Sequence, residues 1–322
     1  MINNLNEIKD ILEPKNQLRL YGFDVLFDNF VKLFNENKLP SVILLHGDKG
    51  VGKATFIYHF INYLLSKNQD HQYSLNNKLI DFKNKSYNLL NSNINTNFYL
   101  LEKNKDSKNI GIDEVRSLSS FLNKSSLDKN IKIVLVDNIE NLNLNSSNAL
   151  LKTLEDVKDN TFFFLTSNNI LKVPITIKSR SIEFKIYFSY EKKREIFINL
   201  LKNYNSNLPS EYVLNFLYFD SPGNLLKYYY FLNDADEDNS IKNVLFFIDK
   251  YLKEKKLDDL NFVSLFIEKF YNDLIEKSSS NNFEIFFNRL KILNRINLMR
   301  KFNLDAKDTF FYVKNILKND QR

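Results

Sequence analysis

Three of the chain's six glycines, Gly47, Gly50 and Gly52, fall within HGDKGVGKAT (residues 46–55), directly before Lys53. Residues without a Cβ let backbone amides turn inward around an anion, and a lysine opening the next helix reaches β- and γ-phosphates. This is the composition of a phosphate-binding loop. A tight strand-to-helix turn with a solvated lysine is the simpler alternative, but it leaves the clustering of a scarce residue without a cause. After the lysine, phosphoryl transfer needs a Ser or Thr hydroxyl on Mg²⁺. The residue there is Ala54. Thr55 cannot take over, because one step along a helix turns a side chain by about 100° and lifts it about 1.5 Å.

A second acidic position has the same character. IKIVLVD (131–137) is an apolar strand ending in Asp137, the arrangement in which a carboxylate orients the metal's water shell. The next position, where a glutamate would align the attacking water, is Asn138, which is no base. Glu140 lies beyond the strand end, and Asp137 alone also reads as a strand-end cap. Two catalytic positions altered in one direction predict a cradle without hydrolysis.

The elements needed to position these residues are legible. An amphipathic helix over 25–38 ends before Pro40, and SVILL (41–45) reads as a buried parallel strand entering the loop. ATFIYHFINYLL (54–65) reads as the following helix, and Asn-, Lys- and Ser-rich 66–96 as a surface insertion with some local helix. Strands are expected at 97–101, 131–137, 161–167 and 181–186, with helices at 112–122 and 146–157 between them. Strands alternating with helices give an α/β fold with a doubly wound parallel sheet. Beyond about residue 187 the pattern is helical only, with acidic NDADEDN (233–239) as a linker. Three domains follow: a nucleotide-binding-type α/β domain over 1–186, a helical lid over 187–236 and an all-α domain over 237–322.

Composition sets the bounds. A chain of 322 residues with 43% hydrophobic content holds more than one core, and 45 basic against 39 acidic residues permit nucleic-acid contact without demonstrating it. Without cysteine there are no thiolate zinc sites, disulfides or thiol nucleophiles. His46, His59 and His71 are too scattered for a metal cluster; the first two read as packing or surface residues beside the loop helix. The polar start and the lack of an apolar run of about 18 residues predict a soluble, cytoplasmic protein. EKKRE (191–195) reads as a solvated helix face rather than a DNA contact. The Phe-rich C-terminal helices read as bundle core rather than a membrane surface.

GVGKAT, VDNIENLNLNSSNALLKTLED and LTSNNILKVPITIKSRS together resemble the delta-prime subunits of bacterial DNA polymerase III clamp loaders, a branch of the AAA+ proteins. The resemblance covers about residues 15–190 and is most specific over 134–181. YGFD (21–24), DSPGNL (220–225) and NLD (303–305) are weaker landmarks. The family's SRC motif is Ser179-Arg180-Ser181 here, its sensor-1 segment ends at Asn168, and its EEPP is EDVKD (155–159). The four-cysteine zinc module of many relatives is missing. No arginine occurs between 195 and 288, so the lid supplies none to a nucleotide in cis.

The resemblance implies an AAA+ P-loop domain, a lid and a C-terminal collar for oligomerisation. It implies the stationary member of a heteropentamer with motor (gamma/tau-type) and delta subunits, serving the sliding clamp and primed DNA. Arg180 would be an arginine finger given in trans to a neighbour's ATP. Gly47, Gly50, Gly52, Lys53, Thr55, Asp137 and Asn168 would form a degenerate site that requires no cofactor, holds at most an unhydrolysed ATP or ADP, and binds no metal. Asn168 equally reads as a backbone cap. By itself the chain would be no enzyme, only a part of the DNA-directed DNA polymerase assembly. The alternatives are an active motor-type AAA+ ATPase, which Lys53 and Asp137 favour, and a stand-alone nucleic-acid-binding protein.

Overall fold

The computed structural model describes residues 12–320 apart from 93, 105, 106, 108, 124–130, 205, 207, 209–213, 215, 219, 234–239, 256 and 278–281. The expected linker at 233–239 lies almost wholly outside the described residues. Two compact units divide between Lys227 and Tyr228.

The first unit is built on a five-stranded parallel sheet in the order β2-β3-β4-β1-β5. Its strands are β1 (Val42–His46), β2 (Phe98–Leu101), β3 (Lys132–Val136), β4 (Thr161–Ser167) and β5 (Ile182–Lys185). β1 pairs with β4, Val42 opposite Phe163 through His46 opposite Ser167, and β3 flanks β4 on its other side. The carboxyl ends of β1, β3 and β4 therefore lie side by side, where open α/β sheets place their sites. Helices α1 (Asp24–Asn35), α2 (Lys53–Ser66), α3 (Lys85–Asn91), α4 (Ile112–Asn123), α5 (Leu144–Glu155), α6 (Ile175–Lys178), α7 (Tyr190–Asn203) and the start of α8 (Pro222–Asn233) complete this unit. Each expected strand is present, with its ends moved by no more than two residues.

Helix α2 departs from an ordinary surface helix, since it is buried on nearly every side from Phe56 to Leu64. Such a helix needs cover on both faces. The sheet covers one. Phe27 and Phe30 of α1 supply part of the rest, with Phe27 packing against Phe56, Phe60, Tyr63 and Tyr73 at centroid distances of 5.2–6.2 Å. The remainder comes from the segment expected to be a surface insertion. Tyr73, Ile80 and Leu90 are buried in the same cluster. Their segment is anchored by Leu20 N donating to Lys78 O (3.0 Å) and Ile80 N to Leu18 O (2.8 Å). The surface expectation is corrected: polar composition concealed a few apolar anchors placed where α2 lacked cover.

His59 sits inside this contact. One ring nitrogen bonds the Tyr73 hydroxyl at 3.1 Å and the other the Gln17 carbonyl at 3.0 Å. Burial lowers its pKa to about 3, so it stays neutral and is a core residue, not a surface one.

The second unit comprises the rest of α8 with α9 (Ser240–Glu254), α10 (Leu257–Lys277), α11 (Asn282–Phe302) and α12 (Ala306–Asp320). Phe247, Phe262 and Phe266 stack in its core beside Tyr228, and Phe310, Val313 and Leu317 bury one face of α12. Helix α11 is different: it buries Ile292, Ile296 and Met299 yet exposes Phe283, Phe286, Phe287 and Leu290. Bundle core thus accounts for only part of the aromatic content. Among the described residues no helix is long and apolar enough to cross a membrane.

Replacing Tyr73 with alanine tests the revised role of 66–96. The expected cost is about 3–5 kcal/mol, the range for emptying a large aromatic site, read from the denaturant midpoint; a change within about 0.5 kcal/mol would restore the surface assignment.

Candidate nucleotide site

The loop between β1 and α2 has the backbone that its glycines predict. Gly50 and Gly52 lie at φ 83° and 99°, where a side chain is strained, and Gly52 caps α2. Gly50 has a second reason to be glycine. A Cβ there would stand 2.4 Å from Ser221 Oγ, and one on Gly223 would stand 2.6 Å from Gly50 O. The start of α8 therefore rests directly on the loop, with Ser221 Oγ donating to Lys49 O (2.6 Å) and Gly223 N to Gly50 O (3.0 Å). The DSPGNL landmark is this docking surface. Asp220 holds the turn by accepting from Ser221 N and Asn224 Nδ2 at 2.7 and 2.9 Å.

Lys53 is buried under the loop, and its ammonium is fully occupied. It donates to Gly47 O at 2.7 Å, Asp48 O at 2.8 Å and Asn168 Oδ1 at 2.9 Å. Three donors meet three acceptors. Desolvation lowers its pKa from 10.5 to about 8, opposed by the nearby charges of Asp137, Glu140 and Asp48.

The acidic side of the site is equally engaged. Asp137 Oδ1 accepts from the Thr166 hydroxyl at 2.6 Å and Oδ2 from Asn138 Nδ2 at 2.8 Å. Burial raises its pKa, with the Thr166 bond and Lys53 opposing. Asn138 adopts a left-handed conformation, φ 56° and ψ 62°, which asparagine tolerates and a longer side chain rarely enters. Its backbone N–H donates to Thr166 Oγ1 at 2.8 Å, and its Oδ1 accepts from Asn168 Nδ2. Glu140 is drawn into the same network, accepting from Asn168 N at 2.9 Å. Asn168 therefore acts through both its side chain and its backbone, joining the lysine to the acidic strand end. Lys53, Asn168, Asn138, Asp137 and Thr166 form one connected network.

These residues border a cavity of about 290 Å³ that Thr55 also lines, with Leu20, Tyr21, Ile196 and Leu200 as its apolar wall. It lies at the lower limit of small-molecule sites, roughly 300–1,000 Å³. Phosphate fits the backbone cradle once Lys53 exchanges its acceptors. The position that usually carries the magnesium-binding hydroxyl is Ala54, which has no oxygen, and each Asp137 oxygen accepts one protein hydrogen bond.

Arg180 stands apart from this network. It follows the four-residue helix α6, whose last carbonyls are capped by the hydroxyls of Ser179 on Thr176 O and Ser181 on Ile177 O, at 3.0 and 3.1 Å. Ser181 thus has a local task in the position the resemblance gives to cysteine. The Arg180 side chain is 37% exposed and meets Glu155 Oε1 at 2.5 Å and Thr176 O at 3.1 Å. It lines an open crevice with Pro40, Leu154 and Ile182, not the core.

Sequence reasoning missed Ser221, Gly223 and the tie between Arg180 and Glu155. Gly223 carried a signal, as one of six glycines at the start of a helix. EKKRE was read too simply. Lys192 and Glu195 form an exposed pair, but Lys193 is buried and donates to Leu217 O and Asp220 O at 3.3 and 3.0 Å, bracing the turn that docks on the loop.

A parallel sheet with a glycine loop after β1, an acidic end to β3 and a helix docked on the loop define a P-loop module of the AAA+ type. The family described as "DNA polymerase III, delta subunit" matches residues 24–188, slightly more than half of the chain, and the chain belongs to that family. Among curated relatives, DNA polymerase III subunit delta' of Buchnera aphidicola subsp. Schizaphis graminum is 24% identical over 291 residues, covering 78% of this chain and 85% of its own. DNA polymerase III subunit delta' of Pseudomonas aeruginosa is 30% identical over 140 residues, 44% of this chain and 41% of that protein. DNA polymerase III subunit gamma of the first organism is 26% identical over 199 residues, 62% and 52% of the two chains.

The lysine's state can be read from stability. In the folded chain Lys53 loses its proton near pH 8, and in the unfolded chain near 10.5. Between those values the unfolded state binds more protons, so stability rises with pH through this window. The unfolding free energy of wild type minus that of Lys53→Met should increase by up to about 3 kcal/mol from pH 7.5 to 10.5. A difference that stays flat across this range would contradict the buried, desolvated ammonium.

Proposed function

We propose that this chain is the stationary, delta-prime-type subunit of a DNA polymerase III clamp loader. Its own phosphate site does not turn over, and it offers Arg180 to ATP held by a neighbouring subunit. One observation carries this reading: the groups that would serve Mg²⁺–ATP are satisfied by one another, while the Arg180 guanidinium lies at the surface with two of its five N–H groups engaged. A guanidinium suits that task because it stays charged and presents a planar fork to phosphate oxygens.

The relatives named delta' and gamma support membership of the DNA polymerase III assembly, and the specific partners are part of the proposal. They are motor subunits of the gamma/tau type and a delta subunit in a heteropentamer in the cytoplasm, acting through the whole assembly on a sliding clamp and primed DNA. The exposed aromatic face of α11 supplies apolar surface for such assembly. The chain is then a scaffold and trans-activator within the polymerase holoenzyme, and needs no cofactor; ADP or ATP in the cradle would sit there inertly, without metal or zinc. The start of helix α8 docks on the loop through Gly223.

A motor-type ATPase is the second reading, favoured by the gamma-named relative and by the retention of Lys53 and Asp137. Mg²⁺-dependent hydrolysis by the purified chain separates the two. The stationary subunit shows none, and turnover stimulated by primed DNA would reject it. In the reconstituted complex, Arg180→Ala should slow single-turnover hydrolysis at the facing site by on the order of 10³-fold, the scale of arginine fingers, without preventing assembly. Unchanged hydrolysis would refute the finger.

A further inference from the structure

Arg180 and Glu155 come from different elements. Glu155 is the last residue of α5, and Arg180 follows α6 by two positions. Their side chains meet at 2.5 Å across 25 residues of sequence, and Thr176 O holds the other terminal nitrogen at 3.1 Å. The guanidinium is therefore gripped from two sides, by a carboxylate on one helix and a carbonyl on another. Neither grip comes from a partner chain. Glu155 is 49% exposed, so core packing does not explain its orientation.

From this geometry we propose that Glu155 is the positioning residue of Arg180, fixing the direction of the fork before a phosphate arrives. The proposal rests on the trans role of Arg180 given above. A free arginine explores many rotamers and must give up that freedom when it engages an anion. Held between Glu155 and Thr176, it keeps Nε–H and one N–H on each terminal nitrogen for phosphate oxygens. The tie is weak enough to adapt. Exposed carboxylate–guanidinium pairs contribute little to stability, so the pair can reorganise against phosphate without a large loss. Glu155 lies at the end of α5, which starts eight residues after β3, so the finger's bearing is set by a rigid part of the sheet domain.

The test uses the reconstituted complex with single-turnover ATP hydrolysis at the site facing this subunit. Glu155→Gln keeps the size and loses the charge. It is expected to lower kcat roughly three- to tenfold, the scale of a misdirected but present group, with KM for ATP unchanged. Glu155→Asp, which keeps the charge on a shorter arm, should recover part of the rate. In an Arg180→Ala background Glu155→Gln should add nothing, because the effect passes through the arginine. A kcat at or above the wild-type value in Glu155→Gln overturns the proposal; a rise would mean that the carboxylate restrains the finger. A loss that persists in the Arg180→Ala background also overturns it, showing that Glu155 acts on the fold. If Arg180→Ala itself leaves hydrolysis unchanged, the trans finger fails and the proposal fails with it, whereas loss in Arg180→Ala with none in Glu155→Gln sinks the positioning role alone.

Discussion

The structure of the site depends on one buried ammonium. Lys53 has three N–H bonds and three protein acceptors within 2.9 Å, two of them carbonyls of its own loop and one the amide oxygen of Asn168. A buried charge is tolerated only when its hydrogen bonds are made. Here the acceptor just beyond β4 ties the loop to the strand ends, and the chain of bonds continues through Asn138 to Asp137. In this structure all three N–H groups of the lysine are occupied by the protein itself.

Asn138, which follows the strand-end acid, helps to build this network. Asn138 is a poor base but a good occupant of a left-handed turn, and its amide bonds a carboxylate on one side and an amide on the other. Thr166 engages the opposite oxygen of the same carboxylate. Gly223 lets α8 approach the loop at backbone contact distance, where a Cβ would intrude. The Asp137 carboxylate and the Lys53 ammonium thus tie the loop and the strand ends together.

The role proposed for Arg180 depends on what holds its side chain. A group delivered to another molecule's reaction must arrive in the right place, and its placement is inherited from whatever holds it. Glu155 at the end of α5 and Thr176 in α6 provide that hold, and Ser179 and Ser181 finish the short helix from which the arginine projects.

How much of this was legible in the sequence depended on the range of the interaction. Apolar runs bounded by loops determined the five parallel strands, because a strand buried on both faces has little choice of composition. The glycine loop was legible from its composition, and Ala54 as a position without a metal-binding hydroxyl, since an absent oxygen is absent in any fold. What only the tertiary structure decided lay between segments far apart in sequence. Tyr73, Ile80 and Leu90 sit in a polar stretch whose burial exists only because α2 needed cover. The pairs Gly50 with Gly223 and Arg180 with Glu155 carry no local periodicity. Residue type fixes what chemistry is possible, and only the meeting of distant segments fixes which donor finds which acceptor.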